Sequence, residues 1–208
     1  MRDVTFEQQV VFVVDDDPGI REALSGLLRS AGLRVVAFAD AAGFLQAKAK
    51  LKDSPVCLVL DLQLPDISGL ELQSSLAETD GPPIVFISGH ANIPSSVRAM
   101  KAGAVEFLVK PFSDDEVLEA IRSAIAQGKQ TQESRSELAG LQAAYAHLSR
   151  REREVLPLVV AGFTNRESAV NLGIAEITLQ VHRGQIMRKL GARSVPDLVR
   201  MAGKLRLL

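Results

Sequence analysis

The sequence predicts an α/β doubly wound domain on a parallel five-stranded sheet, followed by an all-α unit of four helices. Three observations carry this. Strand-like runs alternate with helix-periodic segments through about residue 127. From residue 149 onward no strand-like run occurs. The charge also changes sign: residues 1–128 hold 11 Lys+Arg against 18 Asp+Glu, whereas 129–208 hold 13 against 7. A formal net charge of −1 hides this asymmetry. It points to two different jobs, and nucleic acid is the natural partner for a basic half.

Val10, Val11, Phe12, Val13 and Val14 make the first strand-like run. Asp17 followed by Pro18 reads as an N-cap with proline at the first helical position. Ile20, Leu24, Leu27 and Leu28 then recur at helical spacing up to Gly32. Residues 33–38 predict the second strand and 41–50 the second helix. The third strand covers 56–60 and ends at Asp61; a Pro65-Asp66-Ile67-Ser68-Gly69 loop follows, then a helix over 70–76. The fourth strand, 83–87, ends at Ser88, and a helix over 94–102 closes at Gly103. The fifth, 105–109, ends at Lys110 and Pro111. Ser113 caps the next helix, whose first turn of Asp114, Asp115 and Glu116 carries the charge a helix dipole favours there.

Residues 128–147 read as a solvated helical linker, polar from Gly128 to Ser134, with Leu138, Leu141, Tyr145 and Leu148 then returning at helical spacing. Ser149 and Glu152 have the spacing of a capping box. They open a helix to about Ala161, with a kink expected at Pro157. Residues 164–172, 176–190 and 194–202 predict three more helices, with Ile177, Val181, Ile186 and Leu190 facing inward on the second of these. Two short helices joined at Gly173 and Ile174, the second bearing Arg183, Arg188 and Lys189, match a helix-turn-helix layout. The expected domains are therefore 1–127, a linker over 128–147, and 148–208.

Hydrophobic content of 47% and charged content of 24% are ordinary for a soluble globular protein. Cys57, the single cysteine, lies in an apolar run and reads as a core residue. It allows no internal disulfide, which fits a reducing cytoplasm. No apolar stretch approaches the ~20 residues of a membrane helix, and Met1, Arg2, Asp3 and Val4 open no signal-peptide pattern. A cytoplasmic protein with no membrane partner is expected.

In an open parallel sheet the strand carboxyl ends share the edge where ligands bind. Asp15, Asp16, Asp61 and Lys110 should converge there. Clustered carboxylates suit a hard divalent cation, a lysine beside them can neutralise a phosphoryl group, and one carboxylate is left to act as a nucleophile. Asp17 is expected to cap the helix. Each residue alone has a plainer reading: a strand-end carboxylate, a solvated lysine, an aromatic packed in a strand, a loop histidine at His90.

The order and spacing of Val14-Asp15-Asp16, Asp61 through Gly69, Ser88-Gly89-His90 and Lys110-Pro111-Phe112 resemble the receiver domain of two-component response regulators, which has a flavodoxin-like fold. The resemblance implies that Asp61 is the phosphoacceptor. Asp15, Asp16, Asp61 and the Gln63 backbone carbonyl would hold Mg²⁺ or Mn²⁺. Ser88 would hydrogen-bond the phosphoryl group and Lys110 would pair with it. Ser88 and Phe107 would form the switch, and Lys110-Pro111 would be a cis bond. Such a domain is not an enzyme on other molecules; it catalyses only its own aspartate phosphorylation and dephosphorylation.

Residues 148–203 resemble the LuxR-type helix-turn-helix domain, and the pairing resembles the NarL/FixJ class, FixJ-type most of all. The carrying stretches are Leu148 through Leu156, Gly162 through Glu167, Gly173 through Arg183 and Lys189 through Ser194. The implied DNA contacts are Thr178, Gln180, His182, Arg183 and Lys189 around the recognition helix, with Asn165 and Arg166 from the scaffold helix. Two departures stand out. Gln180 replaces the usual lysine, which removes a phosphate-type charge; the expected result is either weaker affinity or a readout altered towards adenine. Ser168 replaces a packed isoleucine, which is expected to loosen the scaffold helix. The resemblance further implies a sensor histidine kinase, promoter DNA and RNA polymerase as partners, and a homodimer when phosphorylated, with transcriptional activation as the outcome. A phosphatase of the haloacid-dehalogenase type would use an Asp-x-Asp spacing such as Asp15 to Asp17, but no cap insertion is visible. A regulator working without phosphate is the third reading, and the intact acidic pocket argues against it.

Overall fold

The computed structural model describes residues 10–48, 56–77, 81–89 and 93–207. The chain divides into two compact units, 1–132 and 133–208.

In the first unit, strands β1 (Val10–Val14), β2 (Arg34–Phe38), β3 (Val56–Asp61), β4 (Ile84–Ser88) and β5 (Glu106–Val109) form one sheet in the order β2-β1-β3-β4-β5. Every pairing is parallel. Side chains alternate across a strand, so each central strand feeds two cores. Phe12, Leu58, Leu60 and Phe86 pack on one face against α2 (Ala41–Lys48), α3 (Gly69–Ala77) and α4 (Ile93–Lys101). Val11, Val13, Cys57, Val59, Val85 and Ile87 pack on the other against α1 (Pro18–Ser30) and α5 (Asp114–Ala146). Burial on both faces explains why these strands read as continuous apolar runs. Cys57 is a fully buried core residue, and burial pushes its thiol up beyond any neutral-pH chemistry.

The helix starts follow local chemistry. The Asp17 carboxylate accepts hydrogen bonds from Gly19 N at 2.7 Å and Ile20 N at 3.3 Å, with Pro18 at the first helical position. Helix α2 is capped from a distance: the Asp66 carboxylate accepts from the backbone N–H of Ala41 and Ala42. Helix α5 is one helix of 33 residues. It contains most of the stretch read as a linker, and the boundary between units falls inside it. The reading of 41–50 as helix is realised to Lys48; residues 49 and 50, and His90, lie outside the described residues.

The second unit holds the end of α5 and four more helices, α6 (Arg150–Val160), α7 (Asn165–Leu172), α8 (Glu176–Leu190) and α9 (Val195–Lys204). Leu141 and Leu148 join Val155, Leu156, Val159, Leu179, Ile186, Leu190 and Leu198 in its core. Capping boxes open α6 at Ser149/Glu152 and α7 at Thr164/Glu167. Helix α6 runs through Pro157, which lies on its exposed side. Gly173, at φ 63, ends α7 in the left-handed conformation that glycine adopts freely. One expectation is corrected here. Ile177 and Val181 do not face inward but stand exposed. The buried residues are Leu179, Ile186 and Leu190, at i, i+7 and i+11, so they share one face. The expected set mixed two registers of the helix, because Val181 and Ile186 are five residues apart.

Gly69 shows how tightly the loop after β3 closes. A Cβ there would lie 2.4 Å from the Asp61 carbonyl oxygen. Gly69→Ala should therefore cost the first unit about 1–3 kcal/mol through overpacking, read as a lower urea midpoint with an unchanged slope.

Candidate functional site

The carboxyl ends of β1, β3 and β5 bring Asp15, Asp16, Asp61 and Lys110 together. One carboxylate oxygen from each of Asp15, Asp16 and Asp61 lies within 4.8 Å of the others. Asp15 and Asp61 are buried and Asp16 is exposed. Lys110 Nζ bridges the first two, 2.6 Å from Asp15 Oδ2 and 2.7 Å from Asp61 Oδ2. The other oxygen of each is held by the loop behind it: Asp17 N donates to Asp15 Oδ1 at 2.8 Å, and Gln63 N donates to Asp61 Oδ1 at 3.0 Å. Arg21 Nη1 donates to the Asp15 carbonyl at 2.7 Å, which fixes the strand end.

The electrostatics follow from crowding. Burial pushes the Asp15 carboxyl above its ordinary value; the Lys110 and Asp17 hydrogen bonds oppose this, and the neighbouring Asp61 charge adds to it. Lys110 shows the converse. Burial acts to lower it, but its bonds to Asp15 and Asp61 hold it above its ordinary value. A second positive charge would relieve the remaining repulsion. The donor set is entirely carboxylate oxygen, which is the chemistry of a hard divalent cation, so these residues fit one.

Ser88 ends β4 and is buried, and its carbonyl accepts from Lys110 N at 2.9 Å. Lys110 and Pro111 are joined by a cis peptide bond. Phe107, across from Phe86 in register, stacks on it with centroids 6.0 Å apart. The sequence reading missed two supports. Asp66 ties the loop after Asp61 to α2, and Gly69 lets that loop lie against Asp61. The turn-rich loop was visible, but the partner of Asp66 is 24 residues away.

In the second unit, Arg183 Nη1 donates to Asn165 Oδ1 at 2.8 Å, so two expected DNA contacts bridge α7 and α8. Thr178 and Gln180 are exposed on α8, Arg166 is exposed on α7, and His182 is half-buried. Lys189 Nζ lies 2.6 Å from Glu152 Oε2 and 3.3 Å from the His147 carbonyl, tying α8 to the start of α6. Burial acts to raise the Glu152 carboxyl, but the bonds from Lys189 and Ser149 outweigh it and hold it below its ordinary range. Ser168 is fully buried, and its hydroxyl has no hydrogen-bond partner among the described residues.

Known proteins carry both halves. The response regulator receiver domain matches residues 11–122, and the LuxR family of bacterial regulatory proteins matches 146–202. The chain is 45% identical over 201 residues to the response regulator protein TmoT of Ectopseudomonas mendocina, covering 96% of this chain and 90% of that one. It is 42% identical to the transcriptional regulatory protein FixJ of Azorhizobium caulinodans, covering 94% and 92%. Among solved structures, the response regulator StyR superposes with a TM-score of 0.81 at 45% identity, covering 95% and 99%.

Lys110→Ala should leave the Asp15 and Asp61 carboxylates buried without their cation. We expect a loss of about 3–5 kcal/mol in the absence of divalent metal, with a larger recovery on adding it than in wild type, both read by thermal unfolding. Glu152 has a folded pKa below its unfolded value of 4.5, so its stabilisation is present above that value and is lost as pH falls through the folded one. Glu152→Gln should therefore be less stable than wild type at neutral pH, and the gap should close in acid, as urea titrations at several pH values would show.

Proposed function

The chain belongs to the two-component response regulators of the NarL/FixJ class, and on that premise we propose that phosphorylation of Asp61 controls its binding to promoter DNA. The observation that supports this most directly is the Lys110 bridge between Asp15 and Asp61 at the strand ends.

An Asp61 carboxylate oxygen attacks the phosphorus of a phosphohistidine on a sensor kinase. The P–O bond forms, the P–N bond breaks, and the imidazole leaves with the bonding pair. Transfer of this kind is catalysed mainly by positioning and charge neutralisation. Mg²⁺, held by Asp15, Asp16, Asp61 and the Gln63 carbonyl, supplies positive charge when bound. Lys110 exchanges a carboxylate partner for a phosphoryl oxygen. Ser88, at the end of the neighbouring strand and joined through its carbonyl to the Lys110 backbone N–H, follows with its hydroxyl. The loop after β4 moves with it, and Phe107 repacks from its place beside Phe86. The site acts on its own aspartate and turns over no separate substrate.

The face that reports this change lies on α4, β5 and α5. Ile93, Val97, Met100 and Val109 are exposed there, an apolar surface that supports pairing of two phosphorylated copies. A dimer presents two recognition helices to two half-sites, where Thr178, Gln180, His182, Arg183 and Lys189, with Asn165 and Arg166, meet the duplex. Unphosphorylated, the receiver holds the basic domain back. Phosphorylation releases it to activate transcription with RNA polymerase. We assign residues 1–127 to the receiver, 128–147 to the helical linker and 148–208 to DNA binding. No described helix is long and apolar enough to cross a membrane; a partner that is promoter DNA sets the site of action in the cytoplasm.

Incubation with acetyl phosphate and Mg²⁺ should add one phosphoryl group to wild type by intact mass and none to Asp61→Asn. Beryllium fluoride should convert monomer to dimer by light scattering in wild type alone. A labelled or dimerising Asp61→Asn would refute the assignment.

A further inference from the structure

The first turn of α2 carries more acid than capping requires. The N–H groups of a helix start need acceptors, and the side chain just before the helix ordinarily supplies one. Asp40 does so, accepting from Gly43 N at 2.7 Å. Asp66, from the loop after β3, brings a second carboxylate to the same place. Its Oδ1 accepts from Ala41 N at 3.3 Å and its Oδ2 from Ala42 N at 3.0 Å. Ile67 N also donates to Oδ1, at 3.0 Å. Burial acts to raise the Asp66 carboxyl, but these backbone donors outweigh it and hold it below its ordinary range. The helix dipole favours negative charge at this end, yet Asp40 already supplies it. What Asp66 adds is a tie between α2 and its own loop.

That loop leaves β3 through a narrow neck. Leu62 N donates to the Ile87 carbonyl at 3.1 Å, Gly69 N donates to the Leu62 carbonyl at 2.9 Å, and Gln63 N is held by Asp61. Beyond the neck, Leu64 and Ile67 lie half-buried against the core. Apolar contact of that kind is non-directional and restrains a loop without setting its orientation. Among the described residues, Asp66 makes the hydrogen bonds that join residues 64–67 to another element. Gln63 lies at the start of this stretch, and a peptide carbonyl turns only with its backbone. We propose that Asp66 is a positioning residue for the divalent cation: by pinning the loop to the start of α2 it sets the Gln63 carbonyl, and through it the affinity of the site for metal. This rests on the reading of Asp61 and its neighbours as a metal-dependent phosphorylation site. Groups that orient a metal ligand without touching the metal typically govern its affinity about 10–100-fold. Asp66 is exposed, so its removal strands no buried charge.

The test titrates the full chain with Mn²⁺ and reads the free ion by electron paramagnetic resonance. Asp66→Ala should bind Mn²⁺ about tenfold more weakly than wild type. Asp66→Asn, which keeps one acceptor oxygen and the size of the side chain, should lose less. Asp40→Ala removes the other acceptor from the same helix start. It should lower the melting temperature without metal, as Asp66→Ala does, yet keep the wild-type Mn²⁺ affinity. Labelling of Asp61 by acetyl phosphate should need about tenfold more Mg²⁺ in Asp66→Ala for the same rate, and should reach the wild-type extent at saturating Mg²⁺. Wild-type Mn²⁺ affinity in both Asp66 variants, or an equal loss in Asp40→Ala, overturns the proposal and leaves the phosphorylation reading standing. Wild type that binds no Mn²⁺, or that takes no phosphoryl group in the presence of Mg²⁺, overturns that reading and the proposal with it.

Discussion

The first unit is organised around a repulsion. A parallel sheet delivers the ends of β1 and β3 to one edge, and each end carries a carboxylate that the fold buries. Two buried negative charges at that distance cannot persist without a cation. Lys110 supplies one from the end of β5, on the far side of β4, and holds both oxygens at hydrogen-bond distance. Asp17, Gln63 and Arg21 are arranged around the same requirement, each satisfying an oxygen that Lys110 does not reach. The site is thus poised. Anything that changes the charge on Asp61 changes what Lys110 must balance, and Lys110 is bonded through its backbone to Ser88 at the end of the neighbouring strand.

Much of this was legible from the residues. The strands were visible because burial on both faces makes them apolar throughout, and the converging acids were visible because a strand-to-helix switch places them at carboxyl ends. Helix starts at Asp17, Ser149 and Thr164 follow capping rules that act within four residues. What escaped were relations that sequence distance hides. Asp66 caps a helix that precedes it by more than twenty residues, and Lys189 finds Glu152 across 37. The outward turn of Ile177 and Val181 escaped for a different reason. An apolar residue in a helix is usually a core residue, but these two lie on the face opposite Leu179, Ile186 and Leu190.

The second unit tolerates a visible cost. Ser168 sits in the core of the scaffold helix with a hydroxyl that bonds to nothing described, where an apolar side chain would avoid the desolvation penalty. The capping boxes at the starts of α6 and α7 work in the other direction, and the Glu152–Lys189 pair ties the start of α6 to the last turn of α8.

Those internal pairs change how the basic half meets a polyelectrolyte. Arg150 and Arg151 share the one carboxylate of Glu154, Arg200 is matched by Asp197 and Lys204 by Glu137. A cation already neutralised within the fold displaces fewer condensed counterions from a duplex. The unit therefore releases fewer ions on binding than its composition suggests, and its hold on random sequence weakens less steeply as salt rises. Weaker generic attraction shortens each residence on the wrong site, and discrimination then falls to the few side chains that meet the bases.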